Sequence, residues 1–279
     1  SLDTRGTSSS RSENGTRFEE DPFQRINTNI KVGYQINDKL SIVSMGSYAE
    51  FDNSYDSGIY LDGRNKTLDK NYRLSISPKY TYAKGSIEVN GAYSRYKGNR
   101  VKTDFPSTMD AENYVIDAFI KHQFQNIYLV GGVNFQQNQI VEAFNIPFGA
   151  TELTKITYAE TPKTTLFDPY INAVLVSGYG VNINAGVRLN THNKYGNQFV
   201  YNFNPSYRIK TPNGYLKILS SYSTAFLAPT IQDLYDVTYG NVELKPQESE
   251  TIEAGLEYTW NDLLVNAVYF DRSVDNLFG

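Results

Sequence analysis

The sequence predicts an all-β fold, an antiparallel transmembrane β-barrel of which this chain carries about twelve consecutive strands. Three observations predict it. The first is alternation. From Val181 to Asn190, Val181, Ile183, Ala185, Val187 and Leu189 are apolar, while the residues between them are Asn, Gly or Arg. Side chains alternate sides along a strand, so one face is greasy and the other wet. The second is length, since a tilted strand crosses a bilayer in about 9–11 residues. The third is the order of the connections, which run short, long, short, long, as the turns and loops at the two ends of a membrane barrel do.

The elements follow in order. Residues 1–24 are polar and rich in Ser, Thr, Glu and Asp, and are expected to form an extracellular loop segment; residues 25–279 are expected to form the partial barrel. In the strand at 25–35, Ile26, Thr28, Ile30, Val32 and Tyr34 oppose Asn27, Asn29, Lys31 and Gln35. Asn37-Asp38 is a tight turn into a strand at 39–51. A long segment, 52–69, leads to a strand at 70–82, where Tyr72, Leu74, Ile76, Pro78 and Tyr80 oppose Asn71, Arg73, Ser75, Ser77 and Lys79. Ala83-Lys84-Gly85 turns into 86–96, and 97–111 is the next long segment. Strands at 112–124 and 127–136 flank the turn Gln125-Asn126, before the long segment 137–167. Strands at 168–178 and 181–192 flank Gly178-Tyr179-Gly180, and 193–197 is the next connection on the long side. Strands at 198–209 and 215–226 flank Pro212-Asn213-Gly214, before the long segment 227–248. Strands at 249–260 and 263–272 close the series around Asn261-Asp262. The apolar sets are expected to face lipid and the polar sets a wet lumen, with Tyr, Phe and Trp near the run ends as an aromatic girdle.

Composition agrees. The 279 residues include 23 tyrosines and 15 phenylalanines, which suit strands and membrane–water boundaries. A net charge of -4 gives no case for a nucleic-acid partner. The absence of cysteine excludes disulfides and thiolate metal sites. Both ends read as cuts, with a polar start at Ser1-Leu2-Asp3 and a stop at Leu277-Phe278-Gly279 directly after a strand.

The sharpest motif is Tyr222-Ser223-Thr224-Ala225-Phe226-Leu227-Ala228-Pro229-Thr230, followed by Leu234-Tyr235, then Gly240-Asn241-Val242-Glu243-Leu244-Lys245-Pro246-Gln247. Pro229 and Pro246 cannot donate to a ladder, so the motif reads as a strand end, a loop and a strand restart. This resembles the TonB-dependent outer-membrane receptors. It departs from their pattern at Leu227, where the family usually has Arg, and at Gln247, where it usually has Glu. Glu19-Glu20-Asp21-Pro22-Phe23, Tyr55-Asp56, Leu61-Asp62-Gly63-Arg64 and Tyr195-Gly196-Asn197-Gln198-Phe199 make the chain most similar to the cobalamin (vitamin B12) receptors within that family.

The resemblance implies a 22-stranded type of barrel in the cell outer membrane, of which this chain is the middle, without the plug domain. It implies a receptor that captures cobalamin or a related corrinoid and passes it to the periplasm with energy from TonB, acting through the plug. It also implies calcium in the first loops, held by Glu19, Asp21, Tyr55, Asp56 and Asp62. Here Glu19 stands where the family has Asp, and Pro22 where it has Gly. Calcium takes about 6–8 oxygen ligands, so carboxylates from two loops suit it. The loop aromatics Phe51, Tyr60, Phe105, Phe144, Phe148 and Tyr158 are candidates to contact a large ligand. Whether a surface lipoprotein covers the loops is left open. An iron–siderophore receptor is the alternative within the family. A barrel enzyme would need a nucleophile with a nearby base, and with two histidines no catalytic constellation emerges, so the chain is read as no enzyme. A soluble β-rich adhesion module is the remaining alternative. It would bury its apolar face, where a barrel leaves that face to lipid.

Overall fold

A computed structural model describes residues 2–8, 20–57, 61–101, 106–146, 152, 154–156, 162–236 and 239–278. The strands are β1 (Leu2–Ser8), β2 (Asp21–Asn37), β3 (Leu40–Tyr55), β4 (Asn65–Tyr82), β5 (Gly85–Val101), β6 (Ser107–Phe124) and β7 (Ile127–Asn145). They continue as β8 (Thr154–Lys155), β9 (Lys163–Val176), β10 (Val181–His192), β11 (Gly196–Thr211), β12 (Gly214–Leu227), β13 (Gln247–Trp260) and β14 (Leu263–Asp275). One short helix, α1 (Ile231–Tyr235), lies between β12 and β13. All belong to one antiparallel sheet in which each strand pairs with the next; β8 alone stands off the path, beside the end of β7.

All twelve expected strands form. Two differences from the sequence reading stand out. Leu2–Ser8 is a strand paired with Asp21–Asn27, so residues 1–24 are not a loop throughout. Their polar composition concealed it because β1 pairs with Asp21–Asn27, the end of β2 that lies beyond the Tyr48 row and so outside the apolar run. The 193–197 connection is also shorter than expected, since β10 ends at His192 and β11 begins at Gly196.

The turns at the other end form where they were expected. Asn261 supplies its turn with a left-handed conformation at φ 50° that asparagine tolerates. Gly180 has φ 87°, and a Cβ there would meet the Arg208 carbonyl oxygen at 2.3 Å. Only glycine fits that turn.

Burial is inverted relative to a soluble sheet. Ile30 and Leu74 are each 63% exposed, and Ile252 and Leu256 each 53%. Among the described residues the buried apolar side chains are Ile140, Ala143, Ile231 and Leu234, all at or beneath α1. Among the described residues the apolar face therefore has no protein partner along its length. Lipid satisfies such a face, and a water-soluble module would not leave it bare.

The strands overshoot their predicted ends on the side of the long connections, and the apolar face shows why. Tyr48 and Tyr72 meet at 5.1 Å between ring centroids, and Tyr93 and Tyr114 at 4.9 Å. Beyond this aromatic row the same face turns charged. Lys66 pairs with Asp52 at 2.8 Å, Lys70 with Glu50 at 3.6 Å, and Arg95 with Asp110 at 2.7 Å. Bilayer thickness sets the length of the apolar run only, and the ladder continues into water on ion pairs.

Candidate ligand-binding face

The polar face is held by hydrogen bonds between side chains of neighbouring strands. Tyr96 Oη donates to Asp69 at 2.7 Å, Tyr170 Oη to Asp117 at 3.1 Å, and Asn172 to Asn184 at 2.8 Å. Lys79 and Lys121 both reach Glu88 at 3.3 Å. Lys79 and Arg188, expected on the lumen side, pair there with Glu88 and Asp168.

Over the long-connection end of this face lies a strap, described over residues 228–236 and 239–246, between β12 and β13. Its local fold follows from its sequence. Thr230 caps α1: Asp233 N–H donates to Thr230 Oγ1 at 3.2 Å, and Thr230 N–H donates to Asp233 Oδ2 at 2.8 Å. This reciprocal capping box satisfies two backbone donors that a helix start otherwise leaves open. Thr230→Ala should weaken the strap by about 0.5–2 kcal/mol, read as faster amide exchange within α1 in the intact receptor. Gly240 returns close to the helix end, its N–H bonding Asp236 O at 2.9 Å. A Cβ at Gly240 would lie 2.5 Å from both the N and the O of Asp236.

Ile231 packs on Ile140 and Ala143 of β7, so the strap crosses above the ends of β9, β10 and β11. The 193–195 turn holds it from below. Tyr195 Oη donates to Leu244 O at 2.8 Å, and Lys194 Nζ donates to Val242 O and lies over the Tyr235 ring at 5.9 Å. Burial pushes the Tyr195 hydroxyl pKa up, which keeps it a donor. The motif therefore builds a docked strap, as its reading as a loop-fixing element anticipated. The helix within it went unread, although Thr230-x-x-Asp233 is a capping signal. Leu227 and Gln247, the two departures from the family pattern, are a directly paired cross-strand couple. Where the resemblance implies Arg and Glu, this chain has a neutral couple.

Between strap and sheet lies a cavity of about 730 Å³. Its floor includes Gln136, Asn138, Thr164, Asp168, Arg188, Asn190 and His192, and its roof runs from Ala228 to Gln232. Of seven buried polar or charged residues among those described, four line it: Thr164, Asp168, Asn190 and His192. Asp168 is 1% exposed and accepts from Arg188 Nε at 3.2 Å and from Thr191 N–H at 3.1 Å. A buried carboxylate requires such partners. His192 lies on this polar face and is 2% exposed.

The other candidates are scattered or lie elsewhere. Asp21, Tyr55 and Asp56 come to the same end of β2 and β3: Phe23 pairs with Asn53, and Asp21 and Tyr55 each lie two residues further along that ladder. Asp56 accepts from Gly63 N–H at 3.3 Å, and Asn65, which pairs with Tyr55, is buried and donates to Ser57 at 3.0 Å. Asp62 lies in the short segment just before β4. Among the described residues no three His, Asp or Glu side chains converge as metal ligands. Glu19, Tyr60, Phe105, Phe148 and Tyr158 lie outside the described residues. Phe51 and Phe144 do not meet, since β3 and β7 are four strands apart, about 19 Å.

Comparison with known proteins places these features in context. A family model described as "TonB dependent receptor-like, beta-barrel" matches residues 3–279. The vitamin B12 transporter BtuB of Photobacterium profundum is 22% identical over 263 residues, covering 93% of this chain and 40% of that protein. The chain thus spans about two fifths of the length of this curated relative. Among solved structures, the siderophore receptor PirA of Pseudomonas aeruginosa matches with a TM-score of 0.70 at 14% identity, covering 91% of this chain and 46% of that one. The ferric-catecholate import receptor Fiu of E. coli K12 matches with a TM-score of 0.69 at 13% identity, covering 98% and 54%. These likenesses at low identity show the fold.

Proposed function

Because the chain belongs to the TonB-dependent receptor-like β-barrel family, outer-membrane transporters and not enzymes, we propose that it serves the capture and TonB-driven import of cobalamin or a related corrinoid. The observation that carries the substrate is the alignment with a B12 transporter over nearly the whole chain. In this reading the apolar face meets lipid and the polar face lines the passage. The strap and the loops near it meet the ligand, and TonB acts through a plug domain in the full-length receptor. An iron–siderophore is the competing cargo, and the likeness to siderophore receptors carries the fold without the cargo.

The reading extends to calcium at the end of β2 and β3. Asp21, Asp56 and the Tyr55 carbonyl would hold the ion, with Glu19 and Asp62 completing an oxygen set of about 6–8. Bound there, it would tie the first two loops together. The test is calorimetry of cyanocobalamin binding to the detergent-purified full-length receptor, with calcium and then with chelator. Tight binding that weakens on chelation, and that loses its calcium dependence in Asp56→Ala, is the expected result. Binding indifferent to chelation removes the calcium site and keeps the corrinoid. No binding under either condition overturns the corrinoid reading.

A further inference from the structure

We infer that the cavity beneath the strap is a subsite for an uncharged, amide- or hydroxyl-bearing part of the imported ligand; the inference rests on the corrinoid reading, since a corrinoid carries amide groups around its periphery. Two of its buried side chains keep a polar atom that makes no described hydrogen bond. His192 Nδ1 accepts from Lys194 N–H at 3.1 Å, which places the ring proton on Nε2, and Nε2 donates to nothing described. The Asn190 side chain, 9% exposed, likewise makes no described hydrogen bond. Both groups line the same cavity and are open to it, so a ligand seated there meets an available donor and an available amide. The site around them is built. Asp168 fixes Arg188 from one side and the Thr191 backbone from the other, and the strap is docked above.

The charge balance selects the ligand class. Arg188 and Asp168 neutralise each other at 2.5 Å, and the rim couple of Leu227 and Gln247 is neutral. No cation on the described wall is left without an anion, so an anionic iron chelate finds no counter-charge here. What the wall offers is an imidazole N–H, an Asn amide and, beside them, the Asn138 amide, which already donates to Thr164 Oγ1 at 3.4 Å. Amide and hydroxyl groups of a neutral ligand match these donors and acceptors in kind.

The test uses the full-length receptor in detergent, with cyanocobalamin and an anionic ferric tris-catecholate as probes. Asn190→Leu and His192→Phe keep volume and remove the open groups. Each should weaken cyanocobalamin binding by roughly tenfold, the effect of one lost buried hydrogen bond. His192→Gln, which restores a side-chain N–H, should recover most of that loss. Heat-modifiable gel mobility in each variant checks that the barrel is intact. Wild-type affinity in folded Asn190→Leu and His192→Phe overturns the subsite, even if their melting temperatures fall, which would assign the two residues to contacts within the protein. A wild-type receptor that binds the ferric chelate and not cyanocobalamin overturns the corrinoid reading instead.

Discussion

Ile76→Arg in the intact receptor should destabilise the barrel by about 2–4 kcal/mol, the largest effect expected of any exposed residue. Ile76 is 52% exposed on the apolar face. It lies midway between Tyr72 and Tyr80 on β4, hence midway between the aromatic rows that mark the membrane borders. A guanidinium there has no water and no described anion beside it. Ser75→Arg, one residue away on the polar face, should change stability by under about 1 kcal/mol, because its side chain enters the wet interior. Urea unfolding in liposomes of the two variants measures the contrast. Equal cost at both positions would mean the faces are assigned wrongly.

Leu234→Ala should release the strap. Leu234 is fully buried, as is Pro229 on the same strap, while Ile231 packs on β7. Removing such a side chain costs about 2–5 kcal/mol. The remaining anchors, Tyr195 to Leu244 and Lys194 to Val242, are polar contacts at the edge of the strap. They do not replace that burial. Limited proteolysis should cut Leu234→Ala between β12 and β13 while the barrel keeps its heat-modifiable mobility. A strap as resistant as wild type would show that the capping box and the Gly240 return hold it without the apolar anchor.

Release of the strap also bears on cargo. The strap roofs the cavity that holds Asn190 and His192, so undocking it should lower cyanocobalamin affinity together with protease resistance.

The sequence by itself determined the strands, the tight turns, the two faces and the family. These follow from period-two alternation, from turn residues such as Asn261-Asp262 and from contiguous motifs, all of which act within about ten neighbouring residues. It did not reveal how far β4 or β7 runs past the membrane. The charged residues that extend them, such as Lys66, read as loop until the ion-pair partner Asp52 on the neighbouring strand is known. Nor did it reveal β1, whose pairing with the long-connection end of β2 lies outside the apolar run and carries no apolar pattern. The cavity was the least legible part. Asn138, Thr164, Asp168, Asn190 and His192 come from three strands, and the roof comes from a strap forty residues further on. Only the tertiary structure brought them together, because ladder register decides which polar residues stand side by side, and the packing of Ile231 against β7 decides what lies over them.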